Sequence, residues 1–128
     1  MRLLLDTCTF LWIAEGSPKL SSTAEKLFRD PRNEVFLSVA SAWEIAIKYS
    51  MGRLPIPQPP EEFVPSRRVV YGLRSLPLEE EDALYGSKLP RHHSDPFDRI
   101  LICQAIFHEL EILSPDPLLA QYRVRLIW

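Results

Sequence analysis

Apolar and polar positions change period repeatedly along the chain. Leu3-Leu4-Leu5 is a continuous apolar run stopped at Asp6, as expected of a strand buried on both faces. Thr9 to Ala14, carrying Phe10, Leu11 and Trp12, reads as a short helix. Ser21-Ser22 opens a second helix with Ala24, Leu27 and Phe28 on one side, closed before Pro31. Glu34 to Leu37 is a second buried strand. Ser38 can cap a helix over Val39 to Met51, with Val39, Trp43, Ala46 and Ile47 as its apolar stripe and Gly52 as its stop. Pro55 to Pro60 can be neither helix nor central strand and is a stiff connector. Glu61 to Tyr71 is helical with an interruption at Pro65, Leu73 to Leu76 is a weak strand, and Glu79 to Gly86 is a helix with an acidic front. Asp95-Pro96-Phe97-Asp98 opens the strongest helix, which runs to about His108. Its expected buried face is Ile100, Cys103, Ile106 or Phe107, and Leu110. Ile112-Leu113 is a fourth strand, Pro117 to Tyr122 a short helix, and Val124 to Ile127 a last strand. Strands and helices alternate throughout, so the predicted fold class is α/β, a three-layer α/β/α arrangement with a mostly parallel central sheet.

A length of 128 residues fits a single domain spanning 1–128, and 46% apolar residues supply a real core. A net charge of −2 argues against a polybasic partner surface. No apolar run approaches the ~20 residues of a membrane span, and Asp6 cuts the opening run too soon for a signal-peptide core. Cys8 and Cys103 form no C-x-x-C pair and read as reduced thiols of a cytoplasmic protein. Nucleotide-binding glycine loops and the serine-hydrolase elbow are both missing.

What changes the picture is where the acids fall. Asp6 follows the first strand, Glu44 lies early in the helix after the second, Asp98 starts the long helix, and Asp116 follows the fourth strand. In a parallel sheet, strand C-termini and helix N-termini share one edge, where ligands bind, so four carboxylates from distant segments are expected to converge. Each also has a local reading. Glu44 can close a capping box with Ser41 or pair with Lys48; Asp95 and Asp116 each precede a proline and suit N-caps; Asp98 at the third helical position suits the helix dipole. Asp6 is different: at a buried edge with no basic neighbour in sequence, it calls for a cation. Carboxylates with water suit Mg²⁺ or Mn²⁺ rather than zinc. His92-His93 reads as a surface loop, Cys8 as a small buried thiol, and Trp12 and Trp43 as core or interface. Arg67-Arg68 and Arg91 are either phosphate contacts or ordinary surface charge.

Taken in order, Leu3-Leu4-Leu5-Asp6-Thr7 with Leu11-Trp12, Ser41-Ala42-Trp43-Glu44-Ile45-Ala46-Ile47-Lys48, His93-Ser94-Asp95-Pro96-Phe97-Asp98-Arg99 and Leu113-Ser114-Pro115-Asp116 resemble the PIN-domain ribonucleases of the VapC type. The likeness runs through to the strand ending at Trp128. It implies a PIN-like α/β/α sandwich, a Mg²⁺-dependent endoribonuclease acting as the toxin of a toxin–antitoxin pair, and Mn²⁺ as a substitute ion. It implies Asp6, Glu44, Asp98 and Asp116 as catalytic and metal residues, with Asp95 an additional acid near the pocket. It also implies an RNA substrate, a VapB-like antitoxin partner, and a homodimer or a toxin–antitoxin hetero-oligomer. Cys8 stands where relatives often have histidine, and Ser114 where threonine often precedes the last acid. Two other readings compete. Leu5-Asp6-Thr7-Cys8-Thr9 faintly resembles the start of haloacid-dehalogenase-type phosphatases, with Asp6 as nucleophile; alternatively, the chain is a non-catalytic PIN-like binding module.

Overall fold

The apolar triplets at Leu3–Leu5 and Val35–Leu37 pair with one another, and the rest of the sheet grows outward from them. A computed structural model describes all 128 residues. Its strands are β1 (Arg2–Leu5), β2 (Glu34–Ser38), β3 (Arg74–Leu76), β4 (Glu111–Leu113) and β5 (Leu126–Ile127). They form one parallel sheet in the order β3-β2-β1-β4-β5. β1 is central, with Leu4 opposite Phe36 on one side and Ile112 on the other.

Successive side chains of a strand face opposite ways, and the core divides accordingly. Leu3, Leu5, Val35, Leu37 and Leu113 pack in one cluster; Leu4, Phe36, Leu76 and Ile112 pack in the other. Helices α1 (Thr7–Glu15), α2 (Ser22–Arg29) and α4 (Pro60–Tyr71) cover the first face through Phe10, Ile13, Leu27, Phe28, Phe63 and Val64. Helix α6 (Pro96–His108) covers the second through Leu101, Ile102, Cys103 and Ala105, with α5 (Glu80–Gly86) against it. Helix α3 (Val39–Ser50) serves both, with Ala40 in one cluster and Ile45 in the other.

Three expectations are corrected. The stripe Val39, Trp43, Ala46 and Ile47 does not face the core: Val39 is 40% and Trp43 52% exposed, and Ala40, Ser41, Glu44 and Ile45 turn inward instead. The inward face contains polar residues because α3 borders the acidic pocket, where Ser41 and Glu44 find partners. Second, α4 runs unbroken through Pro65. A proline inside a helix costs roughly 3 kcal/mol, and the burial of the adjacent Phe63 and Val64 offsets it. Third, α6 has no single buried face: Leu101 to Ala105 are all buried, Ile100 and Ile106 are half-buried, and Phe107 is exposed. A helix packed between a sheet and other helices is apolar nearly all round.

Candidate active site

The order in which strands are added reverses between β1 and β4, because β2 and β3 lie on one side of β1 and β4 and β5 on the other. Such a switch point leaves a crevice at the carboxyl ends of the strands. Asp6 leaves β1 there, and Ser114 and Asp116 leave β4 there. A cavity of about 530 Å³ opens at this edge, lined by Asp6, Glu44, Asp95, Asp98 and Asp116 together with Thr7, Cys8, Trp12, Lys48 and Arg53, among others. All five acids expected from the sequence therefore border one space.

Each acid is held by the backbone that delivers it. Asp6 is buried, 5% exposed, and caps α1: Oδ1 accepts the Thr9 N–H at 2.8 Å, and Oδ2 accepts the Ser114 hydroxyl. Burial raises its pKa, while the Ser114 and Thr9 hydrogen bonds oppose the rise. The Ser114 hydroxyl oxygen also accepts the Asp116 N–H at 3.0 Å, so one serine ties both strand ends together. The expected need for a cation at Asp6 is thus met in part by neutral donors.

Glu44 does not close a capping box. Ser38 is the N-cap of α3, accepting the Ala40 N–H at 3.0 Å, and Glu44 falls in the second turn. Its carboxylate is 5% exposed and fully engaged: Thr7 Oγ1 donates to Oε1 at 2.6 Å, and Lys48 donates to Oε2. Thr7 Oγ1 also lies 3.0 Å from Ser41 Oγ; a hydroxyl has one hydrogen, so Ser41 donates in that contact. The bond to Glu44 raises the Lys48 pKa. Thr7 was not singled out from the sequence, and Ser41 entered only as a capping-box partner of Glu44. Thr7 directly follows a chemistry-bearing acid, which is the signal that could have found it.

Asp95 is the N-cap of α6, its Oδ1 accepting the N–H groups of Phe97 (2.8 Å) and Asp98 (3.4 Å). Asp116 caps a single 3-10 turn over Pro117–Gln121 through the Leu118 N–H at 3.0 Å. The capping and pocket readings hold together at these positions. Asp98 is the electrostatically exposed member. Burial pushes its pKa up to about 7, the Asp95 charge adds to this, His93 opposes it, and Asp6 and Glu44 contribute further repulsion.

His93 is a second residue whose role sequence reasoning missed. It does lie in a loop, but its side chain is only 11% exposed and turns into the site. Nε2 lies 2.9 Å from Asp116 Oδ2 and 3.2 Å from Asp98 Oδ2. His92 points elsewhere, edge-on to Tyr122 at 5.2 Å. A histidine two residues before an N-capping aspartate was the available signal. Cys8 is corrected too: the residue is exposed, not buried. Partial burial of the thiol and the Asp6 charge push its pKa up to about 11, which leaves almost no thiolate at neutral pH. Arg68 is committed to the Leu37 carbonyl (2.8 Å) and Arg67 lies over the Phe63 ring, so neither reaches the acids. Arg91 borders a separate cavity of about 370 Å³.

The acids thus line an oxygen-rich pocket at the switch point of a five-stranded parallel sheet. The PIN domain family model matches residues 3–124, and the chain belongs to that family. It is 46% identical over 81 residues to Ribonuclease VapC16 of Mycobacterium tuberculosis; the match spans 57% of this chain and 57% of that relative. The fold is shared with VapBC2 from Rickettsia felis, solved bound to a DNA fragment from its promoter (TM-score 0.69, 14% identity, covering 100% of this chain and 99% of that one). It is shared as well with VapBC-1 from nontypeable Haemophilus influenzae (TM-score 0.66, 18% identity, covering 99% and 97%). The phosphatase reading falls with the family match.

Proposed function

We propose that this chain is a metal-dependent endoribonuclease and the toxin of a toxin–antitoxin pair. The observation that carries the reading is a pocket in which Asp98, half-buried and held partly protonated near neutrality, faces Asp116 while Asp6 and Glu44 add charge. Carboxylates crowded this way favour a divalent cation. The donors offered are carboxylate oxygens, the set preferred by Mg²⁺, with Mn²⁺ able to substitute. The residues therefore fit the ion. Asp98 and Asp116 would hold it, with Asp6 acting directly or through water and Asp95 at the margin. When bound, the ion supplies an acidified water and neutralises charge developing on the phosphate.

The chain's own residues do the rest. Glu44 is locked in one rotamer by Thr7 and Lys48 and orients the attacking water as a fixed acceptor. Ser114 couples Asp6 to Asp116, so the two strand ends cannot drift apart. Lys48 and Arg53 line the same cavity and give the polyanionic substrate a cationic contact beside the acids. The outward apolar face of α3, with Trp43 edge-on to Phe97 at 5.3 Å, suits an antitoxin segment or a second copy of the chain. The names of the relatives support both halves of this reading, ribonuclease and toxin–antitoxin complex. No helix is long and apolar enough to cross a membrane, in keeping with a cytoplasmic site of action.

Two measurements test the proposal. Purified chain should cleave RNA with Mg²⁺ or Mn²⁺, stop in EDTA, and lose at least about a hundredfold in rate as Asp98→Asn with the fold intact by circular dichroism. Cleavage that persists in excess chelator would falsify the metal mechanism, and a folded wild type that never cuts RNA would favour the non-catalytic binding module. Expression should also arrest growth, and co-expression with a small neighbouring gene product should relieve the arrest. Absence of both complex and rescue removes the toxin–antitoxin half.

A further inference from the structure

Nε2 of His93 and one oxygen each of Asp98 and Asp116 lie within 4.8 Å of one another, close enough to suggest a three-residue metal site with an imidazole ligand. The other ring nitrogen argues otherwise. Nδ1 accepts the backbone N–H of Asp95 at 3.1 Å. A backbone N–H can only donate, so Nδ1 must present its lone pair, and the ring hydrogen sits on Nε2. A histidine that binds a metal does the reverse, donating its second N–H outward and offering a bare nitrogen to the ion.

The loop is built to keep this orientation. The His93 N–H donates to Tyr122 Oη at 2.8 Å, and the His93 carbonyl accepts from Arg99 at 3.1 Å. Arg99 also binds the carbonyls of Gly86, Leu89 and Pro90, which fixes the segment leading to His93. Both ends of one residue and one side of its ring are held, leaving Nε2–H aimed at the two carboxylates.

We propose that His93 is a positioning residue that donates through Nε2–H to Asp116, stands against Asp98, and sets the spacing of these two carboxylates for the ion without binding the ion itself. This rests on the metal-site reading above. The consequence follows from the geometry. Asp116 then has one donor on each oxygen, Leu118 N–H on Oδ1 and His93 on Oδ2. Its plane is fixed and its remaining lone pairs face the cavity. Asp98 has no other donor close to its carboxylate, so His93 alone restrains it against the repulsion of its acidic neighbours.

The test uses Mn²⁺ alone, with no RNA, on full-length protein. Glutamine at 93 keeps a donor near the Nε2 position, whereas asparagine keeps only the acceptor for the Asp95 N–H. His93→Gln should bind Mn²⁺ within about threefold of wild type, and His93→Asn should bind at least about tenfold more weakly, the usual cost of losing a group that orients a metal ligand. Both are compared by calorimetry after their melting curves show a folded chain. Electron spin-echo spectra of Mn²⁺-loaded wild type should lack the coupling of a directly bound imidazole nitrogen. That coupling, if seen, makes His93 a ligand and overturns the proposal, even where His93→Asn fails to fold. Equal Mn²⁺ affinity in wild type and His93→Asn overturns it as well, while leaving the metal site standing. A folded wild type that takes up no Mn²⁺ overturns the metal reading and this inference with it.

Discussion

Asp98 concentrates the physics of the site in one residue. The folded chain keeps its proton up to about pH 7, whereas an unperturbed aspartate releases it near 3.8. Between those values the folded state binds more protons than the unfolded state, so this group's contribution to stability falls as pH rises. Above pH 7 the penalty is complete. Asp98→Asn carries no such charge, so in chelator it should melt higher than wild type, with a gap that widens from pH 5 to pH 8. About 1 kcal/mol of relieved desolvation and repulsion corresponds to roughly 3–6 °C for a chain of this size. Asp6→Asn should gain less, because Asp6 gives up charge-assisted bonds from Thr9 and Ser114 that Asp98 does not have. A pH-independent gap, or an Asp98→Asn protein that melts lower throughout, would mean that Asp98 is an ordinary helix-start acid. At this scale the sequence was informative about which acids matter, because strand-end and helix-start positions are visible in an apolar pattern. It was silent on their partners. Thr7 to Glu44, Ser114 to Asp6 and His93 to Asp116 span 37, 108 and 23 positions, and such pairs exist only once the sheet order is known.

At the scale of elements, the same distinction explains the error in α3. Binary patterning places Val39, Trp43, Ala46 and Ile47 on one face correctly, but it assigns that face to the core because apolar usually means inside. In this chain the polar face is the buried one, made tolerable by a closed set of hydrogen bonds, and the apolar face is left outside. Ser38 shows how tightly the element is anchored. Its hydroxyl oxygen accepts the Ala40 N–H as the cap of α3, and its hydrogen goes to Gln104 Oε1 of α6 at 2.6 Å. Gln104 is fully buried and donates in turn to the Pro77 carbonyl at 3.1 Å. Ser38→Ala should remove a cap worth about 1 kcal/mol and leave a buried amide oxygen unpaired at a further cost of about 1–3 kcal/mol. Urea unfolding should therefore show a loss of about 2 kcal/mol or more, where a cap alone accounts for about half of that. A loss of 1 kcal/mol or less would show that water replaces the hydroxyl and that the link between α3 and α6 is not a structural one. The cap was legible from Ser38 preceding an apolar run; the partner in α6 was not.

For the whole molecule, the decisive property is that the acids arrive on separate segments: Asp6 after β1, Glu44 from α3, Asp98 from α6 and Asp116 after β4. An ion held among them ties the centre of the sheet to helices on both of its faces, so it acts on global unfolding rather than on one loop. Binding only the folded state stabilises by mass action, about 2.7 kcal/mol at a hundredfold excess over Kd. For this chain that is a rise of roughly 8–16 °C. Wild type should show this increment with saturating Mg²⁺, and EDTA should abolish it. Asp98→Asn and Asp116→Asn should keep only a small part of it. Ser38→Ala, destabilised at a distance from the pocket wall, should melt lower than wild type yet retain the full increment, because it removes a packing link and no donor to the ion. Acidification should shrink the wild-type increment as Asp98 takes up its proton below about pH 7, since only the ionised carboxylate binds. The slope with pH thus differs between the two conditions: stability falls with rising pH in chelator, whereas in saturating Mg²⁺ the ion takes the place of the Asp98 proton and stability is nearly flat over the same range. Melting curves of the four proteins at pH 5, 6, 7 and 8, with and without Mg²⁺, read both slopes together. An increment that survives in Asp98→Asn, or one that does not depend on pH, would place the ion somewhere other than among these four acids.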